Sequence, residues 1–173
     1  MSPRLKERLT YYIGDIVYGA NDGIITTFAV IAGAAGAGFS SGVIIVLGIA
    51  NLIADGFSMG ASRYLSLKSE QDVEGAHEGL RDPIADGFAT FTAFVVVGTL
   101  PLIPFFIPSA AENAFAVSAT ATAITFFLVG AARSLVIKTH PLLAGFEMLV
   151  VGGVASIIAF ALGFMVQTVI GVV

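Results

Sequence analysis

Cysteine is absent from this chain, which removes disulfides and thiolate metal sites from consideration. The redox compartment stays open, because a chain without cysteine suits any compartment. Charge is scarce as well. Only 12% of the 173 residues are Asp, Glu, Lys or Arg, against about 25% in a typical soluble domain. A soluble protein of this size needs a polar shell, and too few polar residues exist to build one. Eight Lys and Arg against twelve Asp and Glu leave a net charge of −4, which argues against nucleic acid as a partner. What fills the chain instead is apolar: 57% of residues are hydrophobic, and the mean hydropathy is +0.94.

Roughly twenty apolar residues span a bilayer core as a helix. Five stretches qualify: Ile13–Gly36, Gly42–Leu67, Ile84–Phe106, Ala114–Val136 and Leu142–Ile170. A membrane β-barrel would show segments of about ten residues in strict alternation, and these runs are longer and apolar on most faces. The expectation is an all-α polytopic membrane protein, one transmembrane domain of five helices, with the lipid bilayer as its surroundings. Residues 68–83 read as a short cytoplasmic acidic loop. Pro101 and Pro104 are expected to kink the outer end of the third helix. Arg4, Lys6 and Arg8 resemble the start of a signal peptide, but Asp15 and Asp22 interrupt the apolar core that a cleaved signal needs. The remaining basic residues are Arg63, Lys68, Arg81, Arg133 and Lys138. None of the eight falls in the first loop, the third loop or the C-terminus, so the positive-inside rule places the N-terminus inside and the C-terminus outside.

Three carboxylates lie within the first two spans: Asp15, Asp22 and Asp55. Each would cost about 2.5–3.5 kcal/mol at the centre of a membrane helix, so they must face protein, water or an ion. Asp15 and Asp22 are seven residues apart and share one face of the first helix, with Gly19 and Thr26 nearby. Asn51, Asp55, Ser58 and Ser62 form a similar stripe on the second helix, bordered by Met59. Two narrow polar faces on adjacent helices read as a lined pathway. Asp15 also lies near the end of its span, where capping or backbone bonding would explain it equally well. Carboxylate oxygens suit hard divalent ions and a thioether is soft, so a set of Asp22, Met59 and Asp55 leans toward a transition metal such as Fe²⁺. A carboxylate in a low-dielectric site can exchange a proton for a metal ion near neutral pH, a route to proton antiport. Glu70, Glu74, His77 and Glu78 would share a helix face by their spacing and collect cations at the cytoplasmic mouth. A solvated charged face is the plainer reading of that run. Glu147 either lines the same vestibule, pairs with Arg133, or reaches for the interface. The pairs Gly19/Gly23 and Gly56/Gly60 allow close helix approach, within one copy or between two.

The run Tyr18-Gly19-Ala20-Asn21-Asp22-Gly23-Ile24-Ile25-Thr26-Thr27-Phe28-Ala29 resembles the helix 1 signature of the vacuolar iron transporter family. Ala54-Asp55-Gly56-Phe57-Ser58-Met59-Gly60, followed by Tyr64-Leu65-Ser66, resembles its helix 2 signature. Leu100-Pro101-Leu102-Ile103-Pro104-Phe105 is similar to the family's helix 3 ending, and Gly145-Phe146-Glu147-Met148-Leu149 to its helix 5 entry. The resemblance implies a five-helix homodimer that exports Fe²⁺, often Mn²⁺ as well, from the cytoplasm by proton antiport along a dimer-interface pathway lined by the first two helices. It also implies that Asp22 and Met59 are in-membrane metal ligands. Two departures stand out. The long Glu-rich insertion between helices 2 and 3 of the family is missing. Ser62-Arg63-Tyr64 replaces a common Gly-Glu-Tyr, and Arg63 at the cytoplasmic mouth would repel cations.

The expected function is therefore divalent-metal export, not enzymatic catalysis. Divalent metal is the substrate, H⁺ the coupling ion, and no cofactor is expected to stay bound. The alternative is a non-transporting scaffold or partner subunit that keeps the fold. An intramembrane hydrolase with paired aspartates is disfavoured, because no Gly-x-Gly-Asp type motif is present. A compact chain favours a prokaryotic plasma membrane, with the vacuolar membrane as the eukaryotic counterpart.

Overall fold

The computed structural model describes residues 3–74, 81–108, 113–137 and 139–171, with the side chains of 12–73, 81–108, 113–134 and 139–171. Five α-helices follow one another: α1 Pro3–Gly36, α2 Ser41–Glu74, α3 Pro83–Gly98, α4 Ala114–Ile137 and α5 Pro141–Ile170. A 3₁₀ segment, Leu100–Phe106, continues α3. The described residues contain no strand. Four helices are long and apolar enough to cross a membrane, and α3 with its 3₁₀ segment, bent by 41°, makes a fifth if the two are taken as one span. The chain is a multi-pass membrane protein.

Local chemistry sets the helix ends. Gly38 takes a left-handed φ of 76° after α1. Its N–H donates to Ala35 O and that of Phe39 to Ala34 O, both at 3.0 Å, closing the last turn. At the start of α3, Asp82 caps Ile84 N at 3.0 Å and Pro83 supplies the preset φ of a first helical residue. The bend falls at Thr99, just before Pro101, whose ring and missing N–H stop the α-helical ladder. Pro104 has no N–H to return to the carbonyl of Pro101 three residues earlier. Ser118 Oγ of α4 donates to that carbonyl instead, at 2.6 Å.

Helix α1 is the centre of the bundle and touches α2, α3, α4, α5 and the 3₁₀ segment. Ile24, Phe28 and Ile31 of α1 meet Leu52, Phe94, Leu102, Phe126 and Met148 in one buried cluster. Phe28 stacks on Phe115 at 6.2 Å and meets Phe126 edge-on at 6.5 Å. Large apolar side chains also cover the outside. Ile157 on α5 is 70% exposed and Val169 78%, the pattern of a surface that faces hydrocarbon.

One expectation is corrected. The stretch from Lys68 is not a loop at its start: α2 runs on to Glu74. Its residues there are good helix formers, and Ser66 Oγ donates to Glu70 across one turn at 3.2 Å. The first helix breaker is Gly75. The glycine pairs, in turn, serve packing within one copy. A Cβ on Gly19 would stand 2.5 Å from the Thr90 carbonyl, and one on Gly60 2.7 Å from that of Gly87, so both helices press their glycines on α3. Gly19 therefore lies against α3.

Candidate functional site

The polar residues of the spans fall into two groups. The first gathers where α1, α2 and α3 meet. Arg63 Nε of α2 lies 2.9 Å from Asp15 Oδ1, off the axis of a hydrogen bond, and its Nη2 donates to Asp15 Oδ2 at 3.4 Å. Arg81 pairs with Asp15 and Asp86 together, and its Nε donates to Asp86 Oδ2 at 2.7 Å. Gln71 of α2 donates to the Arg81 carbonyl at 2.8 Å. The Asp86 side chain is fully enclosed and Asp15 nearly so. Two guanidinium groups and two carboxylates sum to zero, which is how charge survives in such surroundings. Arg63 is thus engaged by Asp15, with Asp86 at 4.0 Å, rather than presented bare to incoming cations. Asp15 is a member of this network. Asp86 and Arg81 are the members that spacing along the chain did not single out.

The second group surrounds Asp22. A cavity of about 240 Å³ between α1, α4 and α5 is lined by Tyr18, Asn21, Asp22, Arg133, Glu147 and Met148, with Ile25 and Val151. Arg133 and Glu147 form an ion pair at 3.6 Å. The amide oxygen of Asn21 is buried and has no hydrogen-bond partner. Thr26 Oγ1 donates back to the Asp22 carbonyl at 2.9 Å, so its hydroxyl serves the helix backbone. Asp55 of α2 lies within electrostatic reach of Asp22.

The stripe on α2 divides between two directions. Asn51 turns inward and its amide donates to Thr27 Oγ1 of α1 at 3.4 Å. Met59 is half-buried against the apolar cluster and is not among the residues lining the Asp22 cavity. Asp55, Ser58 and Ser62 are exposed on the outer face. Glu70 is exposed too, beside an open recess shared with Ser66, Ser69 and Val73. His77, Glu78 and the side chain of Glu74 lie outside the described residues. Among the described residues, no three His, Asp or Glu side chains stand close enough to hold a metal ion.

The geometry is that of a bundle with carboxylates held inside its spans, and comparison with known proteins says which bundle. The model of the VIT family matches residues 13–81 and 74–164. The chain belongs to the VIT family. A relative from Toxoplasma gondii, "Vacuolar iron transporter", is 24% identical over 92% of this chain and 76% of its own length. "Vacuolar iron transporter 1" of Arabidopsis thaliana is 27% identical over 90% of this chain and 86% of its own. A 57-residue stretch is 44% identical to the "Vacuolar iron transporter" of Plasmodium falciparum. The first two alignments run to 229 and 215 residues, longer than this 173-residue chain, so the relatives carry extra residues inside the matched region. The two matched segments of the family model meet at 74–81, the stretch just after α2.

Proposed function

We propose that this VIT-family protein carries a divalent transition-metal ion across the membrane, Fe²⁺ first and Mn²⁺ second. The ion leaves the cytoplasm in exchange for protons. The observation that carries this reading is Asp22. It sits in the middle of the central helix, on a cavity that Arg133 and Glu147 also line, and within electrostatic reach of Asp55. An in-span carboxylate that shares a cavity with other charged groups marks an ion path. Asp55 and Met59 of α2 are the further ligands in this reading, and two copies related by a two-fold axis double a donor set too sparse in one protomer. Carboxylate and thioether together favour Fe²⁺ and Mn²⁺ over Mg²⁺ and Ca²⁺. Glu70 and the acidic run after it would draw cations to the cytoplasmic end. The membrane is the plasma membrane in a prokaryotic host and the vacuolar membrane in a eukaryotic one.

The test is flux into proteoliposomes with Fe²⁺, Mn²⁺, Co²⁺ and Zn²⁺ under an imposed pH gradient. Wild type is expected to move Fe²⁺ and to move protons the other way. Asp22→Ala is expected to abolish flux while eluting as a folded protein in detergent. Normal flux by Asp22→Ala would sink the assignment.

A further inference from the structure

The cavity that holds Asp22 also holds a cation of the protein's own. Arg133 reaches it from the last turns of α4 and Glu147 from the second turn of α5. The pair stands at 3.6 Å, well beyond the roughly 2.7–2.9 Å of a charge-assisted hydrogen bond. Their side chains remain 34% and 56% exposed. A loose, open pair of this kind contributes little to folding. Charges inside a membrane span are nevertheless costly and mark ion paths.

The rest of the lining supplies donors. Asp22 brings a second carboxylate and Met148 a thioether, and Asn21 beside them has a buried amide oxygen without a partner. The charged lining alone sums to −1: two carboxylates against one guanidinium. A divalent cation entering that space competes directly with Arg133.

We propose that Arg133 is a tethered counter-cation, competing with the transported divalent ion for Glu147, and that the Asp22–Glu147 cavity is an ion station inside each protomer. This rests on the transport reading above and adds to it a carboxylate that no second copy supplies. When the ion sits between Asp22 and Glu147, it takes Glu147 and repels the guanidinium. When the ion moves on, Arg133 returns, and the cavity is never left with two uncompensated carboxylates. The exchange is non-covalent and needs no other reactant. It keeps binding weak enough for release, which any conducting path requires. Arg133 acts through Glu147 and is a positioning residue.

The experiment is Mn²⁺ uptake by the full chain in proteoliposomes, over a range of Mn²⁺ concentrations. Wild type is compared with Arg133→Gln, Arg133→Lys, Glu147→Gln and the double variant Arg133→Gln/Glu147→Gln. Arg133→Gln is expected to lower KM on the order of tenfold and to lower the maximal rate, as release slows. Arg133→Lys keeps the charge and stays near wild type. Glu147→Gln raises KM, and adding Arg133→Gln to it changes KM little, the mark of two residues acting through one contact. A wild-type KM in Arg133→Gln overturns the proposal, as does an equal Arg133→Gln effect with and without Glu147. Should Arg133→Gln fail to insert, Glu147→Gln decides, since a KM it leaves unmoved is equally fatal. Wild type that moves neither Mn²⁺ nor Fe²⁺ fells the transport reading itself, a result distinct from the others.

Discussion

Asp86 is the most enclosed charge among the described residues, with nothing of its side chain exposed. It balances Arg81, and Arg63 stands 4.0 Å away. Asp86→Ala would leave both guanidinium groups to share Asp15. Breaking a buried pair on one side costs about 3–5 kcal/mol, because the surviving charge stays uncompensated. The expected readout is a large drop in the unfolding midpoint in detergent, and an unchanged midpoint would show that the network does not hold the helices. Such pairing is hard to see in a sequence. Arg63 lies 48 residues from Asp15 and Arg81 lies 66 from it, and no local spacing links them. Asp86 was further disguised by its position, in the first turn of a helix behind Asp82 and Pro83. A carboxylate there reads as favourable to the helix dipole. Asp22 was legible for the opposite reason. It lies deep within an apolar run, where hydropathy alone makes a charge conspicuous.

The third span shows how one element is built from two. Pro104 strips a donor from the 3₁₀ turn, and Ser118 of α4 restores it to the Pro101 carbonyl at 2.6 Å. Ser118 is fully buried, as is Pro101. Ser118→Ala is therefore expected to cost about 1–3 kcal/mol, the penalty for a buried acceptor left alone. With Pro104→Ala already in place, the backbone regains an N–H and the same change should cost clearly less. Equal costs in both backgrounds, measured by unfolding in detergent, would contradict this account. The prolines made the kink foreseeable, whereas the serine that answers it comes from a different helix. Helix α2 shows the limit from the other side. Hydropathy marks where an apolar span ends and not where the helix does, so the polar extension to Glu74 looks like loop in the sequence. The glycine spacing correctly announced close approach, but only three-dimensional packing names α3 as the surface approached.

Across the whole molecule the burial is lopsided. Among the described residues, helix α1 is enclosed by the other four, while α2 packs mainly on α1 and on α3 with its 3₁₀ segment. The free side of α2 carries Ile53 and Phe57, as a lipid face would, but also Asp55, Ser58 and Ser62. An aspartate facing hydrocarbon costs about 2.5–3.5 kcal/mol per copy, a burden that a second copy packed on this face would relieve. The same contact would bring two Asp55 carboxylates toward one axis, where a divalent ion can neutralise them. The absence of cysteine makes the arrangement directly testable. Ser58→Cys and Ser62→Cys each place a single thiol on that face. In native membranes under mild oxidation, at least one is expected to give a disulfide-linked dimer. Val154→Cys, on the 52%-exposed outer side of α5, serves as the control and should remain monomeric on a non-reducing gel. Crosslinking at Val154 but at neither serine would move the interface to α5 and remove α2 from any shared pathway. The Asp22–Glu147 cavity would then be the ion site that a single protomer has to rely on.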